Sequence, residues 1–254
     1  NNPCPTIIAS SGAKLTHWGE PNEISDQQII RLQSFPDDYK FLNKDVKYFC
    51  GMSVPPFMTQ RLADQIAQQH LGVGEPADLK TGAWNLSDLK DVKKNGKKVL
   101  SIFACGGGST MGYKLAGFDV ICAVEIDPEM AEIYESNHSP KYLYRMAIQE
   151  FNKIPDVDLP EEFFDLDILD GSPPCSSFSM AGSREKKWGK SSHFKEGQAK
   201  QHLDDLFFHF IETAKKLKPK VVVAENVKGL IIGNAKGYVK QIFAGFREAG
   251  YETQ

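Results

Sequence analysis

With 254 residues, 41% of them hydrophobic and 25% charged, the chain can bury one sizeable core, and no apolar run reaches the roughly eighteen residues of a membrane span. A net charge of -3 excludes a surface that grips nucleic acid by general basicity, so any such contact must rest on local charge. The five cysteines (Cys4, Cys50, Cys105, Cys122, Cys175) lack CxxC or Cys/His ligand spacing, which excludes a disulfide framework and a zinc site and leaves free thiols.

No basic segment followed by an apolar stretch opens the sequence, so a soluble, cytoplasmic protein is expected. Three stretches of different character follow, predicted to form one structural domain. Residues 1–71 begin as loop and end in a helix, because Met58, Leu62 and Ile66 recur every four residues after Pro55-Pro56 and Gly72 supplies a stop. That face is expected to be the packed one. Residues 72–97 hold Gly, Pro, Asp, Asn and most of a lysine cluster (Lys93, Lys94, Lys97, Lys98), and read as a solvated linker. In residues 98–254 short apolar runs alternate with helical periods, which predicts an α/β core with a mostly parallel sheet flanked by helices. Strands are predicted over 99–103, 120–124, 166–169 and 221–224, the last of them buried. A helix over 203–217 presents Leu203, Leu206, Phe207, Phe210, Ile211, Ala214 and Leu217 on one face before Pro219. Val239, Ile242, Phe243 and Phe246 mark a final helix.

The first strand of this core runs into Ala104-Cys105-Gly106-Gly107-Gly108-Ser109 and then a helical stretch. Glycines at such a turn let a ligand approach the backbone near a helix N-terminus. Seventeen residues after Gly108, at the end of the second strand, stands Glu125, placed to accept hydrogen bonds from the ribose hydroxyls of a nucleoside. A dinucleotide and S-adenosylmethionine both remain open at this point, although the absence of a clean GxGxxG disfavours the former.

The strand over 166–169 ends in Asp170-Gly171-Ser172-Pro173-Pro174-Cys175, which places Cys175 in a proline-stiffened loop at the ligand-facing edge of the sheet. A thiol with an ordinary pKa of about 8.5 needs a site that favours the thiolate before it acts as a nucleophile. Cys4, Cys50 and Cys122 have no such setting and read as inert. Glu225 ends the next apolar strand at the same edge, where a carboxylate contributes little to hydrophobic burial. Thiol and acid together suit covalent addition to a polarised ring.

Phe103 with its glycines, Glu125, Pro173-Pro174-Cys175 and Glu225-Asn226-Val227 occur in the order and spacing of the cytosine-5 DNA methyltransferases, and the chain resembles that family over nearly its whole length. Pro3-Cys4-Pro5-Thr6-Ile7, Leu32-Gln33-Ser34-Phe35-Pro36 and Gly51-Met52-Ser53-Val54-Pro55 resemble the family's last two motifs, which normally follow the target-recognition region. The chain therefore resembles a circular permutant, with 72–97 joining the moved segment to the core. The recognition domain, and the motif with a glutamine and two arginines before it, are not found. An incomplete sequence, or a second polypeptide carrying that domain, is expected.

The resemblance implies a Rossmann-like S-adenosylmethionine-dependent fold and a target cytosine rotated out of double-stranded DNA. It implies Cys175 as the nucleophile at carbon 6 and Glu225 as the acid at N3. Phe103 would contact the adenine and Glu125 the ribose, while Ser53, Val54 and the turn Gly106, Gly107, Gly108 would hold the methionine end. Ile126, Ile148, Asp170, Pro174 and Leu206 would complete the cofactor site. Ser177, Ser179, Arg184, Lys186 and Lys187 would face DNA, the last three from a loop over 182–200 with a local excess of positive charge. A restriction-modification or orphan methylation role in the bacterial cytoplasm, at the nucleoid, follows from the same likeness. Three positions depart from the family pattern: Ala147 in place of an acid expected to hold the adenine amino group, Cys105 in place of the turn's first glycine, and Met52 in place of an asparagine. The competing readings are a non-catalytic homologue or subunit of a split enzyme, and an RNA cytosine methyltransferase.

Overall fold

The structure, a computed structural model, describes residues 6, 7, 9, 16, 19, 22–75, 78–174, 205–226 and 236–254. Two compact units share the chain. One takes Asn1–Lys97, Ala104–Ile121 and Glu129–Lys141; the other takes Lys98–Phe103, Cys122–Pro128 and Tyr142–Gln254.

The first unit is mainly helical among its described residues. Helix α1 (Asp26–Leu32) starts at a capping box in which the Ser25 hydroxyl accepts from the Gln28 N–H and the Gln28 side chain accepts from the Ser25 N–H. Helix α2 (Val46–Met52) starts at Asp45, which accepts from the Tyr48 N–H at 2.8 Å. Neither was foreseen in the stretch read as loop, because two turns of helix are too few for periodicity to register. Helix α3 (Pro56–His70) begins on Pro56, whose fixed φ suits a first turn. Helices α4 (Gly108–Leu115) and α5 (Pro128–His138, after its first residue) complete the unit.

The packed face of α3 differs from the expected one. Met58 and Leu62 are 52% and 46% exposed, whereas Thr59, Gln60, Ala63, Ile66 and Ala67 are buried. Close approach decides it: a Cβ on Gly112 of α4 would stand 2.5 Å from the Pro56 carbonyl and 2.8 Å from the Gln60 nitrogen. Small and polar side chains fit between backbones this close, and methionine and leucine do not. Gln60 is held there, donating to the carbonyls of Asp78 and Leu115. The stretch read as a solvated linker is likewise anchored. Trp84 is buried in the core of this unit and its indole donates to the Ser34 carbonyl at 3.0 Å, just before a 3-10 turn over Leu86–Asp91. Around it Phe35, Tyr39, Phe41 and Phe49 meet edge to face or tilted, with centroids 4.9–6.2 Å apart.

The second unit carries the sheet: β1 (Lys98–Ile102), β2 (Asp119–Val124, from Cys122 on), β3 (Tyr142–Tyr144), β4 (Ile168–Gly171) and β5 (Val221–Ala224), in the order β3-β2-β1-β4-β5. The β2–β3, β1–β4 and β4–β5 pairs are parallel. The expected α/β, mostly parallel, Rossmann-like fold is therefore present, with the reversal of strand order beside β1 that brings ligands to the carboxyl edge in such sheets. Two strand readings need correction. β4 lies two residues further on than the expected 166–169, starting at Ile168 and running through Asp170 and Gly171, because Gly171 pairs with both Ile102 and Ala224. β5 ends the sheet among the described residues and is half-buried to exposed, so its apolar run does not mark a fully covered strand. Helices α6 (Ile148–Lys153), α7 (Leu206–Leu217) and α8 (Lys236–Glu248) belong to this unit. The predicted face of α7 is buried at Leu206, Phe207, Phe210, Ile211, Ala214 and Leu217; Leu203 lies outside the described residues. Among the described residues no helix is long and apolar enough to cross a membrane.

Candidate active site

In the first unit the glycine turn opens α4. Gly107 is the N-cap residue, at φ 95°, and no side chain caps the helix. The first-turn amides of α4 are thus donors of the kind that hold an anionic group at a helix N-terminus. The Cα positions of all three glycines are covered by protein. A Cβ on Gly106 would strike the Phe49 ring, one on Gly107 the His138 imidazole, and one on Gly108 the Val54 carbonyl. Glycine is required here because residues of the first stretch and of α5 press onto the turn, a constraint that adds to any close approach of a ligand. Ser53 and Val54, expected to work with the turn, do lie against Gly108: its Cβ would come 3.2 Å from that of Ser53, whose hydroxyl donates to the Phe49 carbonyl.

Behind the turn sits a cluster that sequence reasoning missed. The Tyr39 hydroxyl donates to the Gly106 carbonyl, and His138 Nε2 lies 3.3 Å from the same oxygen. The Tyr134 ring stacks on His138 with centroids 4.5 Å apart and shares a hydrogen bond with Thr110. Burial, and after it the Lys114 cation, hold the His138 pKa well below its ordinary 6.5, so the ring is neutral. Lys114, which donates to the His138 carbonyl at 2.9 Å, is itself lowered to about 8 by burial. No signal in the sequence joins Tyr39 to His138, which are 99 positions apart.

In the second unit, Phe103 follows β1 at φ 56° and is half-buried, its ring centroid 6.4 Å from that of Phe210 on α7. Phe210 also covers Gly171, where a Cβ would stand 2.6 Å from its ring. Glu125 follows β2 and is buried; its N–H continues the ladder to the Tyr144 carbonyl, and one carboxylate oxygen accepts from the Asp127 N–H at 2.8 Å. Asp170 in β4 is buried and accepts from the Ser101 hydroxyl at 3.1 Å. Ile148 opens α6 and Leu206 opens α7, both buried, while Ile126 and Pro174 are half-buried.

Glu225 follows β5 directly. Its N–H bonds the Gly171 carbonyl at 3.1 Å, and the next side chain, Asn226, donates to the Pro173 carbonyl at 2.8 Å. The segment after β5 is therefore tied to the segment that leads into Pro174 and Cys175. Although the residue keeps exposed surface, desolvation of its carboxyl raises the Glu225 pKa above the usual carboxylate value, against a smaller opposing effect of a hydrogen bond with Ser172. Cys175, Ser177, Ser179, Arg184, Lys186 and Lys187 lie outside the described residues. Of the thiols read as inert, Cys50 and Cys122 are buried, and burial pushes Cys50 up to about 12 and Cys122 well above 9.0; Cys4 lies outside the described residues. No group of three or more metal-ligating side chains occurs among the described residues.

The family model of the C-5 cytosine-specific DNA methylases matches residues 97–254. The chain belongs to that family. This cytosine-5 methylase chain is 37% identical over 156 residues to Type II methyltransferase M.FnuDI of Fusobacterium nucleatum, covering 61% of itself and 40% of that protein. It is 31% identical over 245 residues to Type II methyltransferase M.Sau96I of Staphylococcus aureus, covering 94% of itself and 51% of that protein. A solved structure of a putative DNA modification methyltransferase encoded within an E. coli prophage aligns with a TM-score of 0.45 at 23% identity, covering 60% of this chain and 38% of that one. The methylase chain thus spans 40% and 51% of the length of these two curated relatives.

S-adenosylmethionine is the methyl donor that the family implies, and each unit by itself holds groups that suit a part of it. The uncapped start of α4 offers amides for a carboxylate, Glu125 offers an acceptor for hydroxyls, and Phe103 offers a half-buried ring for a base. One expected contact is lacking at Ala147, the N-cap of α6, which offers no side-chain acceptor.

Proposed function

We propose that the chain is the catalytic part of a DNA (cytosine-5)-methyltransferase, and that its reaction runs through a covalent bond between Cys175 and the target base. The observation that carries this reading is the tie between the two segments: hydrogen bonds from Glu225 and Asn226 to Gly171 and Pro173 bring the acid to the strand end that feeds Cys175. The thiolate of Cys175 adds to carbon 6 of a cytosine rotated out of the duplex, while Glu225, whose raised pKa favours the protonated form, gives its proton to N3. Carbon 5 thereby gains the electron density it needs as a nucleophile. S-adenosylmethionine, when bound, supplies the methyl group that carbon 5 accepts. Loss of the carbon 5 proton to a base, with return of the N3 proton to Glu225, then restores the ring and expels the Cys175 sulfur as thiolate.

Phe103, Glu125, Ser53, Val54 and the glycine turn are assigned to the cofactor, together with Ile126, Ile148, Asp170, Pro174 and Leu206. Ser177, Ser179, Arg184, Lys186 and Lys187 are assigned to DNA. We also read residues 1–71 as the family's closing motifs moved to the front. Support comes from the first unit, where Ser53, Val54, Phe49 and α3 pack against the turn and helix that follow β1. Reading of the target sequence is assigned to polypeptide outside these residues or to a second chain, in keeping with relatives of which the match covers 40% and 51%. A cytoplasmic restriction-modification or orphan methylation role fits the Type II methyltransferases among them.

The deciding experiment incubates the chain, with and without a recognition region from a relative, with S-adenosylmethionine and duplexes carrying 5-fluorocytosine. Fluorine at carbon 5 cannot leave as a proton does, so a denaturant-stable adduct is expected, mapping to Cys175 and absent from Cys175→Ser. An adduct that survives Cys175→Ser, or no adduct under either condition, overturns the mechanism.

A further inference from the structure

Tyr39 and His138 carry no chemistry in the reading above, yet both converge on one backbone oxygen, the Gly106 carbonyl. The two side chains also lie 3.3 Å from each other, hydroxyl to Nε2. A carbonyl only accepts, so His138 Nε2 carries the hydrogen and Nδ1 is the bare acceptor. Nδ1, the acceptor of that tautomer, is buried and has no hydrogen-bond partner. The other end of the same peptide is held too, the Gly107 N–H donating to the Ala104 carbonyl at 2.9 Å. A peptide between two glycines is the easiest kind to flip, because neither flanking residue has a Cβ to forbid the alternative φ and ψ. A flip here would reverse a peptide dipole at the start of α4.

We propose that Tyr39 and His138 are positioning residues that lock the Gly106–Gly107 peptide, and so set the affinity of the turn for the cofactor without touching it. The inference rests on the cofactor reading of the turn. It gives the first stretch of the chain a task in the site, since Tyr39 belongs to that stretch while Gly106 follows β1. His138 adds a steric half to the lock, because its ring fills the space beside Gly107.

The test uses the 254-residue chain and S-adenosylhomocysteine as the probe, by isothermal titration calorimetry, with amide hydrogen exchange measured on the ligand-free protein. Tyr39→Phe removes one hydroxyl and keeps the ring; it is expected to weaken binding about tenfold, roughly the worth of one buried hydrogen bond. Exchange in the peptide spanning Gly106 to Gly108 is expected to quicken by a similar factor. His138→Gln, which keeps a neutral donor, is expected to bind nearly as the parent does, while His138→Leu follows Tyr39→Phe. If Tyr39→Phe fails to fold, the two His138 variants carry the comparison alone. Unchanged affinity and exchange, or glutamine as damaging as leucine, overturns the lock. A parent chain that does not bind the probe instead refutes the cofactor reading and the affinity claim with it, and the exchange data then decide whether the peptide is locked.

Discussion

Phe103 and Cys105 both turn through positive φ, 56° and 49°, immediately before the glycine turn. A non-glycine residue there costs on the order of 1–3 kcal/mol, and such strain gathers at ligand sites. The geometry explains why a glycine was expected at 105: the position takes a left-handed backbone, and the cysteine bears it. Glu225 was singled out from the sequence for a different reason, since a carboxylate closing an apolar strand has few structural uses. Its proton is the feature to test. Glu225→Gln is expected to lower single-turnover methyl transfer by about 10²–10⁴-fold, the usual range for a lost general acid, with S-adenosylhomocysteine affinity unchanged. Equal loss of binding and turnover would instead make it a structural residue. Tyr39 and His138 were not legible, because nothing in an aromatic or an imidazole names the carbonyl it will meet 67 or 32 positions away.

At the scale of elements, α6 is the one whose start matters most. Ala147 is its N-cap, extended at φ -67° and ψ 149°, and provides no side-chain acceptor for the first-turn amides. Ala147→Asp is expected to stabilise the chain by about 1 kcal/mol, the ordinary worth of an N-cap. The thermal midpoint should rise by roughly 2–4 °C for a protein of this size. If the position is also where the family holds the adenine amino group, the same variant binds S-adenosylhomocysteine about tenfold more tightly, as one added hydrogen bond allows. A raised midpoint with unchanged affinity would show that the residue caps the helix and does not meet the cofactor. The faces of the other helices divide by what they meet. α7 covers Gly171 with Phe210, so its large apolar residues face inward as their spacing foretold. α3 meets the backbone of α4 at close range, which selects its small residues and leaves Met58 and Leu62 outside.

Stability belongs to the whole molecule, and His138 ties it to pH. Its folded pKa lies well below 6.5, so as pH falls below that value the unfolded chain takes up a proton that the folded chain refuses. Stability is therefore full above 6.5 and declines as pH falls toward the folded pKa, by at most about 1.4 kcal/mol per pH unit. Groups facing the ring are Lys114 from α4, Tyr134 from α5 and Tyr39; Glu225, raised from 4.5, acts with the opposite sign at lower pH. Thermal midpoints measured between pH 7.5 and about 5.5 should fall for the parent chain and fall less for His138→Gln, whose side chain does not titrate. Parallel profiles would mean that the imidazole is protonated in the fold or already shielded when unfolded. By itself the sequence determined the α/β class, four of the five strands to within two residues and the buried face of α7, and it named Glu125, Cys175 and Glu225 as candidates for the site. Those follow from local rules: an apolar run bounded by turn residues, a 3.6-residue period, a polar group where burial alone would not place one. Tertiary structure alone decided which face of α3 is covered, that Trp84 anchors the stretch between the first helices and β1, and that three glycines are pressed by Phe49, His138 and Val54. Each of these depends on a partner distant in sequence, and contact is fixed by the shape of the assembled chain, which no window of residues contains.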